Sequence, residues 1–264
     1  MTIENYEAQF LAVADNILKN GFERKGRNGT TLSLPFQQLK FSLQDSFPLL
    51  TTRKMFYKGV LGEYAAMIRG PKHVQDFIDW GCNYWNLWAE EDGSINVDYG
   101  NAWRDFNGVD QMAAVVDSLI NNPHDRRMVI SGWRPDNLED LSLPCCHHNY
   151  QFYEHDGIVD LLWIQRSGDW MIGVPSDAVF ASVMLMCFAD VTGKIPGSIT
   201  MVVGDAHIYG EHIEAAKQQV QRPIIDTNLK VELKDQADVY SFEPSDLTIE
   251  GYKYSDAIKY ELKD

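Results

Sequence analysis

Residues 176–192, SDAVFASVMLMCFADVT, constrain this chain more than any other stretch. They form its most apolar helical segment, with Ser176 or Asp177 at the start and Gly193 just past the end. No run of eighteen apolar residues occurs anywhere, so no transmembrane helix is expected. With 264 residues, 45% of them hydrophobic, the chain can bury a sizeable core without staples. Helical spacing is also read at 3–19, stopped by Gly21, at 58–69, ended by Gly70-Pro71, at 72–79, at 109–121 and in a polar stretch at 208–221. Strands are expected at 30–43, broken at Pro35, and at 127–133, 149–154, 158–165 and 198–204. His155-Asp156-Gly157 is a good hairpin turn. Strands and helices mix without regular βαβ alternation, which favours α+β over a doubly wound sheet. No repeat, linker or composition shift marks a boundary, so residues 1–264 are expected to form one domain.

Lys and Arg number 23 against 38 Asp and Glu, a formal charge of −15. That argues against nonspecific nucleic-acid binding, which needs basic surface. It leaves room for a small anion held by a local arginine cluster. The N-terminus MTIENYEAQF carries acids where a signal peptide needs Lys or Arg, so a cytoplasmic protein is expected, or one in the host cytoplasm if the source is a virus. The four cysteines of such a chain are not expected to form a disulfide framework. Cys145, Cys146, His147 and His148 are consecutive and cannot all converge on one tetrahedral ion, so no structural metal is expected.

Several segments carry chemistry. Leu143-Pro144-Cys145-Cys146-His147 offers a nucleophile in a polar setting, although Cys is often a small buried hydrophobe. Gln165-Arg166-Ser167-Gly168-Asp169 ends a strand with a cation, a hydroxyl and an acid, and Asp125-Arg126-Arg127 supplies two more guanidiniums. Their forks suit phosphate oxygens, although such residues often serve surface ion pairs. His207 and Tyr209 lie at a strand-to-helix junction. Glu63 sits inside an apolar helix, where a carboxyl has a raised pKa and can move protons, unless it is a buried salt bridge. Tyr84, Trp85 and Trp88 could stack a planar ligand or simply fill the core. No phosphate-loop glycine pattern follows a strand.

Taken in order, the segments resemble the thymidylate synthase family. They are LQDSFPLLTT at 43–52, VDYG at 97–100, Asp125-Arg126-Arg127, Pro144-Cys145-Cys146-His147, Gln151-Phe152-Tyr153, Gln165 to Asp169, Gly173-Val174-Pro175, Gly204 to Tyr209, and Ile249 to Tyr252. The resemblance implies a single α+β catalytic domain with a mixed sheet, surrounding helices and a homodimer whose sheets pack back to back. It implies a pyrimidine nucleoside monophosphate substrate and 5,10-methylenetetrahydrofolate as co-substrate. Cys146 would add to C6 of the pyrimidine, helped by cations that favour its thiolate. Arg166 and Ser167 would hold the phosphate, joined by Arg24 or Arg27 of the N-terminal loop. Arg126 and Arg127 would reach the partner subunit's phosphate. His207 and Tyr209 would bind the sugar hydroxyl, Glu63 and Tyr99 would manage water and protons, and Trp85, Asp169 and Gly173 would line the folate site.

The chain departs from the family's pattern where thymidylate synthases carry an asparagine that reads uracil. Here that position is Asp177. A carboxylate accepts from cytosine N4 and stabilises a proton on N3, whereas against uracil it meets O4 acceptor to acceptor. Deoxycytidylate hydroxymethylases of the superfamily carry Asp there, so the chain is closest to that branch, with Asp177 as a mere helix cap the bland alternative. Ser176 replaces the family's usual Phe, and the charged end Glu261-Leu262-Lys263-Asp264 is a poor hydrophobic lid. A wet site favours water over hydride, giving 5-hydroxymethyl-dCMP. The alternatives are a C5-methyltransferase acting on dCMP or dUMP, and a CMP hydroxymethylase.

Overall fold

The computed structural model describes residues 5–263. Asn5 caps helix α1 (Tyr6–Asn20) by accepting from the N–H groups of Glu7 and Ala8, and Gly21 ends it. Residues 3 and 4 of the expected helix, and Asp264 of the charged end, lie outside the described residues. A hairpin follows, β1 (Phe22–Gly26) and β2 (Gly29–Ser42). The expected break at Pro35 is only a kink. Phe36 takes a φ of 52°, yet the pairing of β2 keeps its register on either side.

The central helices are α2 (Tyr57–Met67), the short α3 (Val74–Ile78), α4 (Asn101–Arg104) and α5 (Gln111–Asn121), with a 3-10 turn at Tyr84–Trp88. Next comes β3 (Val129–Ser131), then the β4 (His147–His155) and β5 (Ile158–Asp169) hairpin. Its turn residues Asp156 and Gly157 both have positive φ, 51° and 81°, the signature of a tight two-residue turn. Helix α6 (Gly173–Val191) crosses from β5 to β6 (Ile195–Tyr209). Because β6 runs to Tyr209, the expected polar helix shrinks to α7 (Ile213–Gln219). A small pair, β7 (Lys230–Leu233) and β8 (Leu247–Glu250), closes the order.

The large sheet runs β1-β2-β6-β5-β4-β3, and β5 with β6 is its only parallel pair. A parallel pair needs a long crossover, which α6 supplies. The mixed sheet with helices around it is the α+β architecture expected. Helix α6 is apolar on nearly every side and buries thirteen residues, Val174 to Ala189. By length and composition alone it could cross a membrane, but 72% of that window is packed inside the protein, as in a core helix. It begins at Gly173, so Ser176 and Asp177 lie inside its first turns and do not cap it. No side chain caps its start; Asp169 Oδ1 instead orders the turn that leads from β5 into it, accepting from the N–H groups of Met171 and Ile172.

The sheet's inner face carries Tyr150, Phe152, Leu161, Trp163, Ile199 and Met201, all fully buried. Alternation along the same strands puts Leu162, Ile164 and Val202 on the other face, half-buried, and leaves Tyr153 exposed.

One tight approach fixes the connection into the site. Gly100 has a φ of 75°, and a Cβ there would overlap the Met67 carbonyl. Gly100→Ala should therefore lose about 3 kcal/mol of stability, from left-handed strain plus the forced shift of α2. A chemical-denaturation midpoint equal to the parent's would contradict this.

Candidate active site

One cavity of about 1140 Å³ opens between the ends of β5 and β6, the start of α6, helix α2 and the N-terminal hairpin. Of the residues singled out in the sequence, Cys146, Glu63, Tyr99 and Asp177 line it together with Arg24, Arg27, Arg166, Ser167, His207 and Tyr209. Trp85, Asp169 and Gly173 line it too. Arg126 and Arg127 do not; both are exposed, and Arg127 pairs with Asp125 at 3.0 Å.

Cys146 directly precedes β4. Its N–H donates to the Tyr99 hydroxyl, and its carbonyl accepts from the Arg166 N–H at 2.9 Å. The Arg166 guanidinium donates to the carbonyls of Cys145 and Pro144 at 2.8 and 2.9 Å, with one nitrogen 3.8 Å from the Cys146 sulfur. The Cys145 side chain points into the core and is 1% exposed. Only Cys146 therefore presents its thiol to the cavity. Burial pushes that thiol above its ordinary pKa, the Arg166 charge opposes this, and Asp177 adds to it. The expected thiolate is thus not favoured in the unliganded protein, because one cation does not outweigh desolvation.

Four carboxyls line the cavity, and three of them, Glu63, Asp169 and Asp177, are raised. Burial raises Glu63 to about 7, against hydrogen bonds from the Tyr84 hydroxyl and the Trp85 indole N–H, each 2.7 Å. Burial also raises Asp169, opposed by the positive ends of His212 and His207. Asp177 is pushed well above the carboxylate range by burial and by Glu63. Its Oδ2 accepts from the Gln165 amide at 2.5 Å, and Oδ1 lies 4.0 Å from His147 Nε2.

Asp205 organises the neighbourhood of His207. It accepts from Ser33 at 2.6 Å and pairs with Arg24 at 2.8 Å. The His207 Nδ1 lies 3.6 Å from Asp205, and the Tyr209 ring stands edge-on to His207. Burial acts to lower His207, but the hydrogen bond it donates to Asp205 and the Asp169 charge leave it raised. Trp85 is 3% exposed and stacked on Phe77, so its indole edge, not its face, is what meets the cavity. The end of the chain forms another wall. Tyr260 bonds Gln219 at 2.9 Å, the Glu261 carbonyl meets His212 at 2.9 Å, and Lys263 pairs with Glu211.

Sequence reasoning missed three residues here. His147 is buried and held neutral, its pKa lowered by burial to about 3, with Nδ1 2.6 Å from the Tyr150 hydroxyl. Gln165 aligns Asp177 while its own Oε1 has no partner. Arg53 is inside the cavity wall, bonded to the Met171 carbonyl, with Nε unpartnered. The available signal for Gln165 was a polar residue continuing the i, i+2 face that Val159, Leu161 and Trp163 bury.

A lone accessible thiol beside a guanidinium, buried carboxyls and further arginines defines an enzyme site for covalent chemistry on an anionic substrate. A thymidylate synthase family model matches residues 8–263. The thymidylate synthase of Mycoplasma genitalium is 34% identical over 276 residues, covering 93% of this chain and 96% of that protein. The chain belongs to the thymidylate synthase family. It is thus a one-carbon transferase that acts on a pyrimidine nucleotide, and its co-substrate is 5,10-methylenetetrahydrofolate.

Alkylation of Cys146 by iodoacetamide should rise with pH to a midpoint above that of a free thiol. In Arg166→Ala that midpoint should move higher still, because the one stabilising cation is gone. Rates followed by peptide mass spectrometry, with Cys145 unmodified throughout, check both statements.

Proposed function

We propose that this chain is a deoxycytidylate 5-hydroxymethyltransferase, with residues 1–264 acting as one catalytic domain. The observation that carries the reading is Asp177, a carboxyl buried in the cavity and held by Gln165, where it can meet the edge of a base. Its raised pKa refines the argument from sequence. A neutral carboxyl donates through one oxygen and accepts through the other. Against cytosine it gives a proton to N3 and accepts from N4. The pair can equally place that proton on N3 and leave a carboxylate, as attack at C6 demands.

In the proposed reaction the Cys146 sulfur bonds to C6, and C5 becomes the carbon nucleophile that takes the one-carbon unit. Arg166, Ser167 and Arg24 or Arg27 hold the phosphate, and His207 with Tyr209 the sugar hydroxyl. Tyr99 fixes the backbone at the thiol. Water then adds to the exocyclic methylene on C5, with Glu63 taking its proton. Ser176 and the ion-paired end of the chain keep this wall of the cavity polar.

A second reading is methylation of dUMP. Two observations favour it: the relative quoted above is named a thymidylate synthase, and a protonated Asp177 presents the same donor–acceptor pair as an asparagine. The readings separate with pH. N3 of cytosine is a far stronger base than O4 of uracil, so the cytosine pair keeps its shared proton to higher pH. The dCMP/dUMP ratio of kcat/KM should therefore rise as pH rises through the titration of Asp177. Asp177→Asn should lower the ratio by orders of magnitude and flatten its pH dependence. Mass spectrometry of products from dCMP, CMP and dUMP decides the rest. 5-Methyl-dCMP with one dihydrofolate per turnover would refute hydroxymethylation and keep cytosine, while turnover of dUMP alone would refute both.

We also propose a homodimer through the outer sheet face, where Leu162, Ile164, Val202 and Tyr153 are half-buried or exposed. Arg126 and Arg127 lie outside their own cavity, in keeping with service to a partner's phosphate. Mixing Cys146→Ser with Arg126→Ala/Arg127→Ala, each inactive alone, should restore about a quarter of the parent activity per subunit when exchange is statistical. Absence of recovery despite exchange would place these arginines elsewhere.

A further inference from the structure

We propose that Tyr84 is a positioning residue of the one-carbon chemistry, its hydroxyl holding the Glu63 carboxylate ready to take the proton of the attacking water. This inference rests on the role given to Glu63 above. Its basis is geometric. Glu63 points from α2 towards the 3-10 turn, where two adjacent residues grip its two oxygens separately. The Tyr84 hydroxyl donates to Oε2 and the Trp85 indole to Oε1, both at 2.7 Å. Tyr84 and Glu63 both line the cavity, so the oxygen that Tyr84 holds adjoins the space the reacting carbon must enter.

Gripped in this way, each oxygen of the carboxylate is fixed by its own donor at the cavity wall. The two donors also stabilise the charged form against burial. The other ionisable groups near Glu63 are the Cys82 thiol, which precedes the turn and also meets the Tyr84 hydroxyl, and Asp177 from α6. Among the described residues no ammonium or guanidinium offsets the burial of Glu63. The tyrosine hydroxyl is therefore one of two neutral donors that keep this carboxyl available as a base.

In the step concerned, the water oxygen bonds to the exocyclic methylene while the π electrons of C5=CH2 move into the ring. The water proton passes to Glu63. The ring electrons then re-form C5=C6 as the C6–S bond breaks and the thiolate returns to Cys146. No oxidant or reductant enters. Tyr84 keeps its own proton throughout; it orients and tunes the base.

The sign of the pH effect follows. The active form is the carboxylate, present above the Glu63 pKa. Removing a donor to the charged form raises that pKa, so the acid limb of the rate profile moves up. A hydrogen bond to a charged group corresponds to about one pH unit. Tyr84→Phe keeps the ring, and Trp85 still holds Oε1, so the fold and dCMP binding should persist.

The experiment is the pH profile of kcat for dCMP with methylenetetrahydrofolate, run on the parent, Tyr84→Phe and Glu63→Gln, with dCMP binding measured alongside. For Tyr84→Phe we expect an acid limb displaced upward by about one unit, a loss of about tenfold below it, and near-parent turnover on the alkaline side. Glu63→Gln should lose turnover at every pH while still binding dCMP. An unshifted acid limb in Tyr84→Phe, whether turnover is unchanged or uniformly lowered, overturns the inference while Glu63 remains essential. Parent-like turnover in Glu63→Gln overturns the role of Glu63 itself, and the Tyr84 inference falls with it.

Discussion

The parallel pairing of β5 with β6 is the constraint on which the rest depends. Two parallel neighbours require the chain to leave the sheet at one end and return at the other, and here α6 makes that passage through the core. Its start must therefore sit at the end of β5. Asp169 ends the strand and orders the turn into the helix, and the second turn of the helix brings Asp177 back over Gln165. The same strand end sends Arg166 towards Cys146, just ahead of the neighbouring β4. Thiol, guanidinium and buried carboxyl thus meet because of a topological requirement, without long loops to order.

Burial is the second theme. Glu63, Asp169 and Asp177 are all raised, and so is the Cys146 thiol, whereas Asp205 is held low by its hydrogen bond from His207. An apolar helix and an aromatic wall withhold the water that would stabilise charge, and the few polar partners supplied are neutral donors such as Gln165, Tyr84 and Trp85. The unliganded site therefore carries protons at positions where surface groups would have lost them. Ionisation waits for a ligand that brings its own complementary groups.

The sequence was most informative where local chemistry decides structure. Asp156-Gly157 can adopt positive φ at both positions, so the hairpin was legible, and Asn122-Pro123 stopped α5 where expected. It was misleading where tertiary contacts override local signals. Ser176 and Asp177 look like caps because they are good capping residues, but the helix starts at Gly173 in a turn that Asp169 orders from β5. Pro35 looks like a strand end, yet β2 continues because β6 pairs on both sides of it. The cavity residues were found as members of ordered motifs, whereas the His147–Tyr150 pairing, Arg53 and the Tyr84–Glu63 contact were not. Each of these depends on which side chains face one another across elements distant in the chain, and periodicity carries no such information.

The protons held on the buried carboxyls have a calorimetric consequence. A ligand that changes the pairing or hydration of Asp177, Asp169 or Glu63 changes how many protons the protein holds, and the difference is exchanged with the buffer. The heat of binding then contains the buffer's own ionisation enthalpy multiplied by that number. Titrations in phosphate and in Tris, whose ionisation heats differ widely, would give different apparent enthalpies for one and the same nucleotide. The slope between them counts the protons that this cavity takes up or releases when it fills.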